Sequence, residues 1–251
     1  MIMVSSAELL SVPSMLFKEA RWLDYVTPIF ISSVIEQWNS TFLMDDYKTI
    51  EEAVAMARTP KVNLVGHSMG GLKSLVYTLN NPDKVDNCVM SGTPLAGTNS
   101  SWIGATFATF GVYLQSCFQL LPFSDYMKEL RKKLNDRIGY LESNNVTLTN
   151  IWSPIDELVT TDDSSLESLL KKRSKIMKDY RFALGHCEIF YGEGPQNIMK
   201  GIIYNSNNDT VLVHGMLMNQ KFFNRFIENM DPKHLEKLVL FSYDYSKSLS
   251  T

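Results

Sequence analysis

The stretch Val62-Asn63-Leu64-Val65-Gly66-His67-Ser68-Met69-Gly70-Gly71 decides how this chain folds. A short apolar run enters a glycine-flanked turn with a serine at its tip. Leu72, Leu75, Val76 and Leu79 then recur at helical spacing until Asn81-Pro82 stops them. Strand, turn and helix follow in that order. Val85 to Met90 is a second short apolar run, closed by Gly92 and Pro94, so the unit is βαβ and its strands are expected to be parallel in one sheet. Upstream, Asp45 and Asp46 open a helix through about Arg58, with Ile50, Ala53, Val54 and Ala57 on one face.

At 251 residues the chain is long enough for a single α/β domain with a substantial core. Apolar content of 45%, charged content of 20% and a net charge of -3 describe a soluble globular protein. No basic excess points to nucleic acid, so no nucleic-acid partner is expected. Cys88, Cys117 and Cys187 are too few for a disulfide framework and match no metal spacing, so no metal and no cofactor is expected. The first residues, interrupted by Pro13, lack the basic start of a signal peptide. A cytoplasmic setting is the default expectation, or a secreted one if the chain is part of a longer precursor.

From Asn87 through Ser124 there is no charged side chain, and Trp102, Ile103, Phe107, Phe110 and Phe118 crowd the run. Gly104, Gly111, Gln115 and Ser116 dilute it too far for a convincing membrane span. Two uses remain open: buried helices, or an apolar lid at about 99–135 whose 99–124 portion meets lipid or a membrane interface. Beyond it, the pattern predicts a helix over Tyr126 to Leu134, a strand at about Val146 to Trp152, a Lys-rich amphipathic helix from Leu166 to Lys178 and a strand from Asp179 to Leu184.

Gly66-His67-Ser68-Met69-Gly70 matches Gly-x-Ser-x-Gly. With Gly and Ser each near 7% of residues, chance supplies the pattern in about one chain of this length in ten, so its strand-to-helix context carries the weight. There the serine occupies strained backbone, Gly66 and Gly70 permit close approach, and the Met69 N–H faces a developing oxyanion. A neutral serine needs a base, and the base needs an orienting acid. Of four histidines, His67 lies inside the elbow as a packing or oxyanion-loop contact, and His234 falls in a charged helical segment expected at the surface. His186, in a loop after a predicted strand, is the candidate base. Asp156, just past the strand ending near Trp152, is the candidate acid, with Asp162 and Asp163 as competitors further along a polar loop.

Val62 to Gly71, Ser91 to Thr98, Ser153-Pro154-Ile155-Asp156 and Gly185-His186 together resemble the serine lipases and esterases of the α/β-hydrolase fold, especially small bacterial-type triacylglycerol lipases. The resemblance spans residues from about 20 to 200. It implies a mostly parallel sheet flanked by helices, a Ser68, Asp156 and His186 triad, and cleavage of a lipid-like carboxylic ester through an acyl-enzyme. An acyltransferase would use the same parts. In that family a strand preceding the elbow ends in His-Gly, and the next N–H completes the oxyanion hole. Nothing upstream of Ser68 offers this dipeptide.

Thr210-Val211-Leu212-Val213-His214-Gly215-Met216 offers it downstream, which would make Met216 the second oxyanion donor beside Met69. A helix through about Met230 and a strand around Leu238 to Tyr243 follow. They parallel Met1 to Val4, Ala7 to Lys18 and Tyr25 to Phe30 at an offset of about 215 residues. The domain of residues 1–251 then comprises a main body, 1–205, and a repeated oxyanion strand, helix and strand, 206–251. Either the order of elements is circularly permuted, or the chain is cut from a tandem array. The strand at 210–215 is expected to pair within the chain or to join a strand-swapped homo-oligomer. A chance His-Gly at the end of an ordinary strand is the plain alternative. A degenerate, non-catalytic lipid-binding module is the competing function, and the neighbour of Val62–Val65 in the sheet separates the two.

Overall fold

The computed structural model describes residues 48–99, 119–159, 164–170, 174–215 and 220–240. In chain order these form α1 (Lys48–Ala55), β1 (Val62–His67), α2 (Met69–Asn80), β2 (Val85–Ser91), α3 (Asp125–Ser143), β3 (Thr147–Trp152) and α4 (Leu166–Leu169). There follow β4 (Met177–Arg181), α5 (Glu188–Tyr191), α6 (Glu193–Asn205), β5 (Asp209–Val213), α7 (Asn224–Glu228) and β6 (Leu238–Leu240). The strands make one sheet in the order β4-β3-β2-β1-β5-β6, and every neighbouring pair is parallel.

A parallel sheet covered on both faces needs apolar residues on both sides of each strand, and its period of two sorts them. Leu64, Cys88, Leu148 and Val211 face one layer, where they meet Leu72 and Leu75 of α2 and Met127, Leu130 and Leu134 of α3. Val65, Val89, Ile151 and Leu212, next in sequence or nearly so, face the other, under Phe190, Met199, Ile203, Phe222 and Phe226. Each of these large side chains contributes roughly 1.5–3 kcal/mol by leaving water.

β5 lies beside β1, with Val62 opposite Asp209 and Gly66 opposite Val213. A ladder of polar side chains marks that register at the start of the strands. Asn87 Nδ2 donates to Asn63 Oδ1 (2.8 Å), Asn63 Nδ2 donates to Thr210 Oγ1 (3.2 Å), and Asn208 Nδ2 donates to Asp86 Oδ2 (3.0 Å). Arg58 clasps the same end: its backbone N–H and its guanidinium both donate to Asp209. A slip of one residue would turn Val211 and Leu212 to the wrong layers and break the ladder as well.

Several sequence expectations change. The helix expected over Tyr126 to Leu134 runs through Ser143, started by Ser124, whose Oγ accepts the Met127 N–H. The Lys-rich helix expected from Leu166 to Lys178 is a single turn, Leu166–Leu169, after which Leu170 is extended. Pairing overrides propensity there: Met177–Arg181 is held against β3, and its Asp179 carboxylate accepts the Leu166 and Glu167 N–H groups that begin the turn. Strand β4 consequently starts at Met177, two residues before the predicted Asp179. The predicted elements before residue 48, the lid core at 100–118 and the last residues of the predicted strand to Tyr243 lie outside the described residues. Among the described residues, no helix is long and apolar enough to cross a membrane.

Asn63 is fully buried at the centre of the polar ladder. Asn63→Ala is expected to lower stability by about 1–3 kcal/mol, since it takes the bonded partner from the buried Thr210 hydroxyl and one of two acceptors from Asn87, and a urea titration reads the loss. An unchanged midpoint would show that the ladder holds nothing.

Candidate active site

Ser68 lies in the turn between β1 and α2, and its backbone sits at φ 54, ψ -126. A non-glycine residue in that region stores about 1–3 kcal/mol of strain, so its surroundings must enforce it. They do so by close approach. A Cβ on Gly66 would lie 2.5 Å from the Gly70 carbonyl oxygen, and one on Gly70 would strike the Val213 and His214 carbonyl oxygens of β5 and its end. The Ser68 N–H donates to the Ser91 carbonyl at the end of β2 (2.9 Å), and the Ser68 carbonyl accepts the Gly71 N–H (3.0 Å). Met69 opens α2, so its N–H belongs to the first turn, whose amides have no partner within the helix.

Asp156 and His186 come from the loops after β3 and β4, and the structure brings them together. His186 Nδ1 lies 2.8 Å from Asp156 Oδ2 and 3.0 Å from Oδ1, with both side chains buried. Asp156 Oδ1 also accepts the Leu158 and Val159 N–H groups (2.9 and 2.7 Å). Burial opposes charge on both members of the pair. On His186 the Asp156 charge and hydrogen bond, helped by Glu157, outweigh burial and raise its pKa above the ordinary 6.5. On Asp156 burial is likewise outweighed, by His186 and the two backbone N–H groups, and its pKa falls.

His67 couples this pair to the elbow. Its Nε2–H donates to the His186 carbonyl (2.9 Å), and its ring stands 4.8 Å from the His186 ring and 4.7 Å from Phe222. Burial, then the charge of His186, lowers the His67 pKa to about 3. His214 Nδ1–H donates to the Gly215 carbonyl (2.9 Å), and burial lowers its pKa to about 4. Gly215 packs directly on the elbow: a Cβ there would be 3.0 Å from Ser68 Cβ and 3.3 Å from the His67 carbonyl oxygen. Gly92, at φ 56, lets the end of β2 pass the pair, since a Cβ on it would meet Ile189 at 2.8 Å and Asp156 Oδ2 at 3.5 Å.

Ser68, Met69, Gly66, His67, Gly70, His214 and Gly215 thus converge at the carboxyl ends of β1 and β5, and Asp156 and His186 meet beyond the ends of β3 and β4. Met216, Asp162 and Asp163 lie outside the described residues. His234 is a correction: it is buried, stacked on Tyr204 at 4.2 Å, because the Pro232–Lys237 turn folds it inward beneath α6 instead of leaving it on the surface. Sequence reasoning also passed over Glu157, whose Oε2 accepts the His186 backbone N–H (3.0 Å), and Phe222, which backs the His67 ring. Phe222 and Phe226 at a spacing of four were a visible sign of a buried face; nothing local distinguished Glu157. Among the described residues, no group of three or more His, Cys, Asp or Glu side chains could hold a metal ion.

The alpha/beta hydrolase fold family profile matches residues 35–174. Among solved structures, the chain is similar to a monoacylglycerol lipase of Paleococcus ferrophilus, at 19% identity and a TM-score of 0.41, over 62% of this chain and 71% of that one. It is also similar to a thioesterase domain from the curacin biosynthetic pathway, at 14% identity and a TM-score of 0.39, over 61% of this chain and 69% of that one. No protein of curated function matches the sequence.

The three buried histidines of the site should differ in titration. Imidazole NMR across pH 5 to 9 is expected to show His186 changing state above 6.5, while His67 and His214 stay neutral throughout. A His186 titration below 6.5 would mean that Asp156 does not offset burial.

Proposed function

The chain belongs to the α/β-hydrolase fold family, and from that premise we propose that it is a serine hydrolase cleaving carboxylic esters of lipid-like substrates through an acyl-enzyme. The observation that carries the reading is the left-handed backbone of Ser68 beside a histidine, His67, whose ring N–H holds the carbonyl of the buried base. His67 and Ser68 are consecutive, so the bond from His67 to the His186 carbonyl ties the base loop to the serine's own turn.

The chemistry then runs on this chain's own groups. Asp156 engages His186 Nδ1, which leaves Nε2 to take the Ser68 proton as Oγ attacks the acyl carbonyl carbon. Negative charge on the carbonyl oxygen is met by the Met69 N–H, with Met216 as the proposed second donor. His186 returns its proton to the leaving alcohol, and a water deprotonated by the same nitrogen releases the acid from Ser68. An apolar acyl chain suits the uncharged run from Asn87 to Ser124, and exposed Phe123 and Ile155 add apolar surface on loops that border the sheet's carboxyl ends. The proposed role of 99–124 is contact with that lipid.

Hydrolysis of short- and long-chain p-nitrophenyl esters tests the reading. Ser68→Ala is expected to fall to background, and Asp156→Asn to lose about 10³–10⁴-fold in kcat by misorienting the imidazole. Equal rates for wild type and Ser68→Ala would refute it. The base works only when neutral, so kcat/KM should rise with pH through a single ionisation placed above 6.5; His67 and His214, at about 3 and about 4, add none in that range. A pH–rate profile with its acid limb below 6 would assign the base elsewhere.

A further inference from the structure

We propose that Glu157 is a second positioning carboxylate for the base: it anchors the backbone of His186 and places a negative charge beside the imidazolium, separately from Asp156. The inference rests on the serine-hydrolase reading of the same site.

One tight turn delivers both carboxylates. The Leu158 and Val159 N–H groups fold back onto Asp156 Oδ1, and this fixes Asp156 beneath the imidazole. Glu157, between them, is turned the other way, and its Oε2 accepts the His186 backbone N–H at 3.0 Å. Consecutive residues therefore hold the two ends of one histidine, Nδ1 and the backbone N–H. Gly185 makes room for the second contact: a Cβ there would stand 3.2 Å from Glu157 Oε2. The His67 bond to the His186 carbonyl holds the loop from the side of the elbow, and the two contacts from one turn hold it from the side of β3.

Among the described residues, few titratable groups face His186. Asp156 and Glu157 come from the turn after β3 and His67 from the end of β1, and the histidine's own loop brings Cys187 and Glu188, whose Oε2 lies 3.5 Å from the Gly185 N–H. His67 is neutral, so net charge around the base is negative. The same field acts on Cys187: burial, then Glu157, Asp156 and Glu188, pushes its thiol up to about 12, so it stays protonated beside the base. Glu157 is exposed, unlike Asp156, so its influence on His186 should be modest and screened by salt.

The test separates charge from anchoring. Glu157→Gln keeps an oxygen that can accept the His186 N–H but removes the charge, and Glu157→Ala removes both. Imidazole NMR in a Ser68→Ala background reads the base without any need for activity. Glu157→Gln is expected to lower the His186 titration by about half a pH unit at low salt, with a smaller shift in 0.5 M NaCl. In the otherwise wild-type chain, Glu157→Ala should lower kcat about tenfold with KM little changed, and Glu157→Gln should recover part of that loss. An unmoved His186 titration in both variants, or an unchanged kcat in Glu157→Ala, overturns the proposal. Wild-type inactivity with a shifted titration would instead remove the hydrolase reading and leave the electrostatic contact standing.

Discussion

A serine held in left-handed backbone can exist only where its neighbours nearly lack side chains, and the rest of the structure is arranged around that demand. At φ 54, Ser68 is strained, and the strain persists because Gly66, Gly70 and Gly215 bring backbone within reach on several sides. Its N–H is committed to β2 through Ser91. The same tightness makes the elbow intolerant: a methyl group at any of those glycines would meet backbone or the serine itself.

Part of that enclosure is supplied from far along the chain. β5 begins some 140 residues after the serine, yet its end contributes the carbonyls that Gly70 must approach and the Gly215 that lies on Ser68. Placing it there is costly in loop entropy. What offsets that cost is spread over the interface: two apolar layers served by alternate residues, a polar ladder from Asn87 through Asn63 to Thr210, and the Arg58 clasp on Asp209. The apolar part gives most of the energy and the polar part gives the register, because an unmatched asparagine in a dry sheet is expensive. The geometry around Ser68 therefore depends on a pairing decided at the opposite end of the strands.

This division explains what the sequence made legible. β1, α2, β2 and β3 could be placed from periodicity because each is bounded by local signals, such as Asn81-Pro82 after α2. The turn position of Ser68 and the meeting of Asp156 with His186 were legible through chain order and their positions after strands. The Leu166 to Lys178 segment was not, because its helical pattern competes with an edge of β3 that only the folded sheet presents. His234 was misplaced for a similar reason: its charged neighbours suggest surface, while the ring that covers it, Tyr204, is 30 residues away. Glu157 carries no pattern of its own, and its role depends on where a later loop returns.

The three site histidines show how one side-chain type is given different tasks by its partners. All are buried, and burial alone would keep each neutral. His67 and His214 each place an N–H on a backbone carbonyl, a bond satisfied by the neutral ring, so burial prevails and their pKa values fall. His186 alone meets a carboxylate at Nδ1 and a second at its backbone, and there the balance reverses. Two rings are consequently fixed as neutral struts, and one can accept a proton. Because His67 is uncharged, it can lie 4.8 Å from His186 without repelling the imidazolium that forms when His186 is protonated. The desolvation that keeps His67 neutral thus also lets His186 carry charge beside it.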